Sequence, residues 1–256
     1  QAEDPRIRAS IYATARLALD PWTEPAVAHS ASTVARPSYD SDVEWKHPPR
    51  LIDLDWLMEG GQGRSNTLYL VAPPTEFARL APVLGGLLGD LREQVHTWDV
   101  AGRRLPKPLL IVIDEAGQME LQWLPEEVST IAGLGGMIVT CWQSRAQIAH
   151  RYGSLADAVL AGHRSKVFFA GIDDPSTLDY VARVAGTEHV GQRGWSADTW
   201  GGRRTISEHI QREDLLPVHV VRQMRRQHAV LLHGTLPPVH LRPVQWWADR
   251  ELQGLV

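Results

Sequence analysis

The sequence predicts an α/β fold built on a mostly parallel sheet flanked by helices, and three observations carry that prediction. Strand-like and helix-like segments alternate four times between residues 67 and 186, and parallel strands need a crossover between them, usually a helix. LLIVI at 109–113 is apolar on both faces, as a strand central in a parallel sheet must be. Strands also end on polar or small residues, at the edge where ligands of open α/β sheets gather.

Taken in order, PRIRASIYATARLALD (5–20) spaces Ile7, Ile11, Ala15 and Ala18 as a helix does. A stretch rich in Pro, Ser and Thr follows and reads as irregular chain. The expected division is a helical segment at 1–36, a linker with a short strand at 37–66, and the α/β body at 67–256. TLYLVAP (67–73) reads as the first strand, with Thr75 placed to cap the next helix. That helix is expected to bury Phe77, Leu80, Val83, Leu84, Leu87 and Leu91. After LLIVI come a helix over about 125–133, a strand at GMIVTCWQ (136–143) and a helix from about Arg145. SKVFFAG (165–171) is the next strand, and DDPST (173–177) opens a helix that ends near Gly186. From Glu188 to Arg226 the rhythm breaks into polar, arginine-bearing chain, and HAVLLHG (228–234) restores one last strand.

Composition narrows the function classes. The chain has 256 residues and a net charge of −4, so no strongly basic nucleic-acid module is indicated overall. A single cysteine, Cys141, excludes an internal disulfide. Apolar runs are too short to span a bilayer. Neither G-x-S-x-G, C-x-x-C nor H-E-x-x-H occurs, which removes the nucleophile elbow and the common zinc sites. The ten tryptophans sit mostly in apolar patterns and are expected to pack in a core or interface.

The chemistry concentrates at two strand ends. Asp114 and Glu115 follow LLIVI directly. In nucleotide-driven motors such a pair holds Mg²⁺ and activates the attacking water; in an ordinary buried strand the same acids cap the next helix. Gln143 ends the following strand, where a carboxamide can bond both a γ-phosphate and that water. Against a motor stands the absence of G-x-x-x-x-G-K-[ST]. Lysine occurs only at Lys46, Lys107 and Lys166, never after glycine, and GGQGRSN (60–66) carries arginine where lysine should be. That segment reads as a turn.

The order of parts resembles the type IV secretion coupling proteins, the TraG/TraD/VirD4 family. TLYLVAPPTEFARLAPVLGGLLGDLREQ is similar to the strand and helix before Walker B, LLIVIDEAG to Walker B, and MIVTCWQSRAQIAHRYG to the glutamine-bearing strand. SKVFFAGIDDPSTLDYVARVAG, TISEHIQREDLLP and HAVLLHGTLPP resemble the rest, including the TraM-recognition region. The resemblance implies a RecA-like, P-loop-type ATPase sheet lacking its Walker A segment, using ATP and Mg²⁺ in a longer parent. It also implies a homo-hexamer on the cytoplasmic side of the inner membrane, held by helices outside this chain. Its partners would be a relaxase or relaxosome accessory protein, single-stranded DNA or protein cargo, and a type IV secretion channel. By position Asp114 would serve Mg²⁺, Glu115 would activate water and Gln143 would sense the γ-phosphate.

The family's arginines before the glutamine strand are missing from AGLGGM, which leaves Arg145, Arg151 and Arg164 as arginine-finger candidates or surface residues. Arg193, Arg203 and Arg204, with Trp195 and Trp200, are candidates for DNA or partner contact, although Glu208, Glu213 and Asp214 intervene. The rival to a motor is a catalytically inert module that docks relaxosome or channel proteins.

Overall fold

In the computed structural model, residues 5–30, 52–60, 65–119, 121–197 and 204–254 are described. The chain divides into two compact units, Gln1–Trp142 and Gln143–Val256.

In the first unit, α1 (Pro5–Leu19) and the short α2 (Pro25–Ser30) flank a 3₁₀ turn. The helical reading of the N-terminal segment thus has its counterpart, but Ile7 and Ile11 are more than half exposed. Within 37–66 the described part holds a helix, α3 (Leu54–Glu59), and no strand. Asp53 caps it, accepting from the Trp56 amide at 3.1 Å. The strand expected at 67–73 is absent as well. Those residues are irregular, with Tyr69 and Val71 83% and 84% exposed. Alternating apolar side chains make a strand only where a neighbour takes up the backbone hydrogen bonds, and no described residue does so here.

α4 (Phe77–Val100) is the long helix of this unit. Its N-cap is Glu76 rather than Thr75, and no side chain caps it. Of the six residues expected inside, only Leu91 is fully buried; Val95 and Trp98 extend that stripe at helical spacing. The Trp98 indole N–H and the Gln94 amide both donate to Asp55 Oδ1 at 2.8 Å, which locks α3 onto α4. Bonds from Gln94 and then Trp98 hold the Asp55 carboxyl below its ordinary range.

β1 (Leu109–Ile113) leads through α5 (Leu124–Thr130) and a 3₁₀ turn to β2 (Gly136–Thr140). The two strands pair in parallel, Ile111 opposite Ile138 and Ile113 opposite Thr140. Ile111 and Ile113 are buried, whereas Leu110, Val112, Met137 and Val139 are about half exposed. Gly135 turns into β2 at φ 88, and a Cβ on Gly136 would lie 2.5 Å from Ile131 Cγ1. The AGLGGM turn therefore has a steric reason for its glycines.

Glu127 of α5 is 1% exposed, the sole carboxylate among the described buried residues. Arg92 and His96 of α4 both bond to it, with His96 Nε2 at 3.0 and 3.1 Å from its two oxygens. A charge so buried is tolerable only when it is paired and hydrogen-bonded.

The second unit opens with α6 (Arg145–Tyr152) and α7 (Ala156–Gly162), then β3 (Ser165–Phe169) and α8 (Pro175–Ala185). The DDPST cap is present: Asp174 accepts from the Thr177 amide at 2.9 Å, the Thr177 hydroxyl at 2.6 Å and the Ser176 hydroxyl at 2.7 Å. α8 also stops at Gly186, as expected. Residues 188–226, read as polar, arginine-bearing chain outside the strand–helix rhythm, fall largely in a long antiparallel hairpin, β4 (Thr187–Ala197) with β5 (Arg204–Asp214), and a short helix, α9 (Val218–Arg222). β6 (Ala229–His233) pairs antiparallel with β3, and β7 (Val239–Leu241) antiparallel with β6; α10 (Arg250–Gln253) ends the unit. The parallel pairing is thus that of β1 with β2, while β3 runs antiparallel to its neighbour. Apolar runs such as VFF and VLL look alike in either direction, so periodicity could not reveal this. Leu178, Val181 and Val221 form a core against which Phe168, Ile172 and Leu216 pack.

Tryptophans depart from the expectation of burial. Trp98 is buried, but Trp22, Trp56, Trp246 and Trp247 are 43–55% exposed.

Candidate functional site: acids at the end of the first parallel strand

β1 delivers Asp114 and Glu115 at its carboxyl end, both exposed. Ile111 and Ile113 anchor the strand beneath them, so the acids stand on a fixed base. Glu115 has φ 48 and ψ 44, one of two described non-glycine residues with positive φ. A left-handed conformation costs a residue with a Cβ roughly 1–2 kcal/mol, so surrounding bonds must enforce it.

Those bonds come from both sides of the turn. The Glu115 amide donates to Asp114 Oδ1 at 3.0 Å, and the Glu115 carbonyl accepts from the Gln118 amide at 2.8 Å. Gln118 Nε2 donates to the Glu115 carboxylate. From the end of β2, the Cys141 amide donates to Ile113 O at 2.9 Å, and Cys141 O accepts from the Ala116 amide at 3.0 Å. The turn bearing the acids is therefore stitched to the next strand on both flanks. Partial burial first, and the Asp114 charge second, push the Cys141 thiol up from its ordinary range.

Gln143 lies two residues beyond Cys141 and begins the second unit. Its amide N–H donates to Gln147 Oε1 at 3.0 Å, and its own Oε1 accepts from Gln147 Nε2 at 3.3 Å. Ser144 caps α6, accepting from the Gln147 amide at 3.3 Å. The acids are thus brought together within the first unit, and Gln143 is held by bonds of the second.

Of the arginine-finger candidates, Arg145 is committed to its own unit. Its guanidinium pairs with Asp157 at 2.8 Å and lies 5.7 Å from the Tyr180 ring centroid, and its amide donates to Thr177 at 2.8 Å. Arg151 is half-buried and engaged in interactions of its own. Arg164 is exposed, and its carbonyl accepts from the Gly234 amide at 2.9 Å. Arg193 and Trp195 fall on β4 and Arg204 on β5, with side chains outside the described residues. Trp200 and Arg203 lie outside them altogether.

Two exposed carboxylates suit Mg²⁺, which takes one or two from a protein and completes its octahedron with water and phosphate. No described group of three or more His, Cys, Asp or Glu side chains is placed to hold a metal by itself. No described helix is long and apolar enough to cross a membrane.

Sequence comparison matches residues 108–226 to the family described as the TraM recognition site of TraD and TraG. The similarity extends beyond that region to curated conjugal transfer and VirD4 proteins. It is 26% identical over 179 residues to the conjugal transfer protein TraG of Agrobacterium fabrum, covering 68% of this chain and 26% of that protein. With VirD4 of Rhizobium radiobacter it shares 26% identity over 198 residues, covering 75% and 28%. The chain therefore spans about a quarter of the length of these relatives. Among solved structures, the conjugative coupling protein TrwB in complex with sulphate aligns at TM-score 0.59 and 19% identity, over 77% of this chain and 44% of that one. TrwB in complex with ADP and Mg²⁺ aligns at TM-score 0.58 over the same shares, again at 19% identity. The RecA-like α/β fold is common to both proteins. Neither Gln118, which holds Glu115, nor the Cys141 bridge was singled out by sequence reasoning: the first depends on the left-handed turn at Glu115, the second on pairing between β1 and β2.

Proposed function

We propose that this chain supplies the Walker B carboxylates and the sensor glutamine of an ATP-driven motor that couples cargo to type IV secretion. The observation that carries this reading is Glu115, exposed at the end of β1 and held left-handed by bonds to Asp114, Gln118 and the turn around them. Strained, exposed and doubly anchored carboxylates are a feature of working sites rather than of helix caps. Bound Mg²⁺ would neutralise charge shared between the β- and γ-phosphates. Asp114 would hold that ion, keeping one carboxylate oxygen for it while the other accepts from the Glu115 amide. Glu115 would orient a water and take its proton, with Gln118 restricting the carboxylate's rotation. Gln143, hydrogen-bonded to Gln147, would sense the γ-phosphate. Phosphate affinity would come from a phosphate loop that these 256 residues do not contain.

The relatives bear on the wider setting. TrwB has been captured with ADP and Mg²⁺, and TraG is a conjugal transfer protein. By that likeness the assembled protein would be a homo-hexamer at the membrane, receiving a relaxase or accessory protein and passing single-stranded DNA or protein to a channel. Residues 1–36 would continue an all-α domain.

The test is Glu115→Gln in a protein of the relatives' length that carries a phosphate loop. Nucleotide binding should stay near normal, and turnover should fall by a factor of about 100 or more. Unchanged turnover removes Glu115 from the mechanism. A docking role is the second reading, favoured by the TraM-recognition description of residues 108–226. Partner pull-down that persists with Glu115→Gln, in a protein showing no ATPase activity with its own Glu115, would select it.

A further inference from the structure

Among the described residues two polar or charged side chains are buried, Glu127 and Thr177. Glu127 is accounted for by its clasp in the first unit. Thr177 lies in the second, at the third position of α8, and its hydroxyl serves two helices. It donates to Asp174 Oδ2 at 2.6 Å and accepts from the Arg145 amide of α6 at 2.8 Å. The directions are forced, because an ionised carboxylate only accepts and a backbone N–H only donates. Bonds from Thr177 and then Ser176 hold the Asp174 carboxyl below its ordinary range, which keeps it ionised.

Capping α8 does not require that hydroxyl. Asp174 already accepts from the Thr177 amide at 2.9 Å and from the Ser176 hydroxyl at 2.7 Å. What the Thr177 hydroxyl adds is the link to α6, and it falls where α6 needs it. The first four N–H groups of a helix have no partner inside it. Arg145 is the first residue of α6, and Thr177 takes its amide; Ser144 takes the Gln147 amide at 3.3 Å. The Arg145 guanidinium also lies 5.7 Å from the Tyr180 ring centroid on α8. Backbone and side chain of one residue thus fix the first turn of α6 against α8.

Gln143 depends on that turn. S-R-A-Q at 144–147 has the spacing of a capping box, with Gln147 reaching back to Gln143. Gln147 Oε1 accepts from the Gln143 amide at 3.0 Å, and Gln147 Nε2 donates to Gln143 Oε1 at 3.3 Å. A shift of the first turn therefore moves both bonds together.

We propose that Thr177 is a positioning residue for Gln143. Its hydroxyl, aimed by Asp174, fixes the first turn of α6 and so the place from which Gln143 meets a γ-phosphate. The inference rests on the sensor role proposed for Gln143 and extends that role to the DDPST turn.

The experiment is ATP turnover in a protein of the relatives' length that carries a phosphate loop, with Gln143→Ala setting the scale. Thr177→Val keeps the side chain's shape and removes the hydroxyl. Its kcat should fall about tenfold while KM for ATP changes less than about twofold, since a misplaced glutamine costs the transition state rather than binding. Thr177→Ser should recover most of kcat. In the Gln143→Ala background, Thr177→Val should cost less than about twofold more, as expected of a residue acting through another.

A second comparison leaves α8 untouched and decides the matter if Thr177→Val does not fold. Arg145→Pro and Arg145→Ala both remove the guanidinium, and proline suits the first position of a helix, but only proline removes the amide donor. Arg145→Pro should turn over about tenfold more slowly than Arg145→Ala. Equal turnover of these two overturns the proposal. So does a Thr177→Val loss that simply adds to that of Gln143→Ala, which would assign the hydroxyl to stability alone. Full turnover in Gln143→Ala removes the sensor role, and this inference falls with it. An impaired Gln143→Ala beside an unimpaired Thr177→Val overturns the inference and leaves the sensor role standing.

Discussion

Two glutamates of the first unit, Glu115 and Glu127, separate what a carboxylate does for a fold from what it can do for chemistry. Glu127 is 1% exposed and clasped by Arg92 and His96. Glu115 is exposed, sits on a left-handed backbone and takes one side-chain bond from Gln118. The buried acid has its lone pairs occupied and its charge balanced, so it stabilises and does nothing else. The exposed one is held at a backbone cost and keeps acceptor capacity toward solvent. Strain at an accessible acid and satisfaction at a buried one are opposite uses of the same residue.

The comparison can be broken by making identical changes at both positions. Glu127→Gln should destabilise the first unit by about 3 kcal/mol, because it leaves Arg92 and His96 facing a neutral group. Urea unfolding measures this, and a change under 0.5 kcal/mol would mean the clasp is incidental. Glu115→Gln should leave stability within about 0.5 kcal/mol, while cutting turnover by about 100-fold or more in the loop-bearing protein. Gly136→Ala tests the frame between them. Its Cβ would collide with buried Ile131, so a loss of about 1–3 kcal/mol is expected in the same unfolding assay. Glu115→Gly should raise stability by about 1 kcal/mol, since glycine adopts positive φ without penalty; a loss would show that the left-handed turn is not strained.

The smallest effect concerns pH. Asp114 raises the Cys141 thiol pKa by opposing the thiolate. Asp114→Asn should therefore lower that pKa and speed iodoacetamide alkylation about two- to threefold near pH 8, burial remaining the larger restraint. The difference should vanish well above the thiol's pKa, where both forms are thiolate. Equal rates at all pH values would place Asp114 away from the end of β2.

Legibility in the sequence followed the range of the forces involved. LLIVI and GMIVT could be read as strands because burial demands a run of apolar residues whatever lies beside them. The Asp174 cap could be read because it acts within four residues. TLYLVAP misled, having the composition of a strand and no described partner. The β4–β5 hairpin was missed for the converse reason: EHVGQRGWSA and RTISEHIQRED are polar, and their arginines drew the reading toward a binding surface. Their pairing is satisfied by backbone, which composition does not display.

By itself, then, the sequence determined that LLIVI and GMIVT are strands, that DDPST opens a capped helix, that two acids follow LLIVI, and that G-x-x-x-x-G-K-[ST] does not occur in these residues. Tertiary structure alone decided that β3 pairs antiparallel with β6, that Glu115 is left-handed, that Glu127 is clasped, and that Thr177 meets Arg145. Local propensity acts along the chain over a few residues, whereas pairing direction, strain and burial arise between residues tens of positions apart. Only the folded backbone brings those residues within bonding distance.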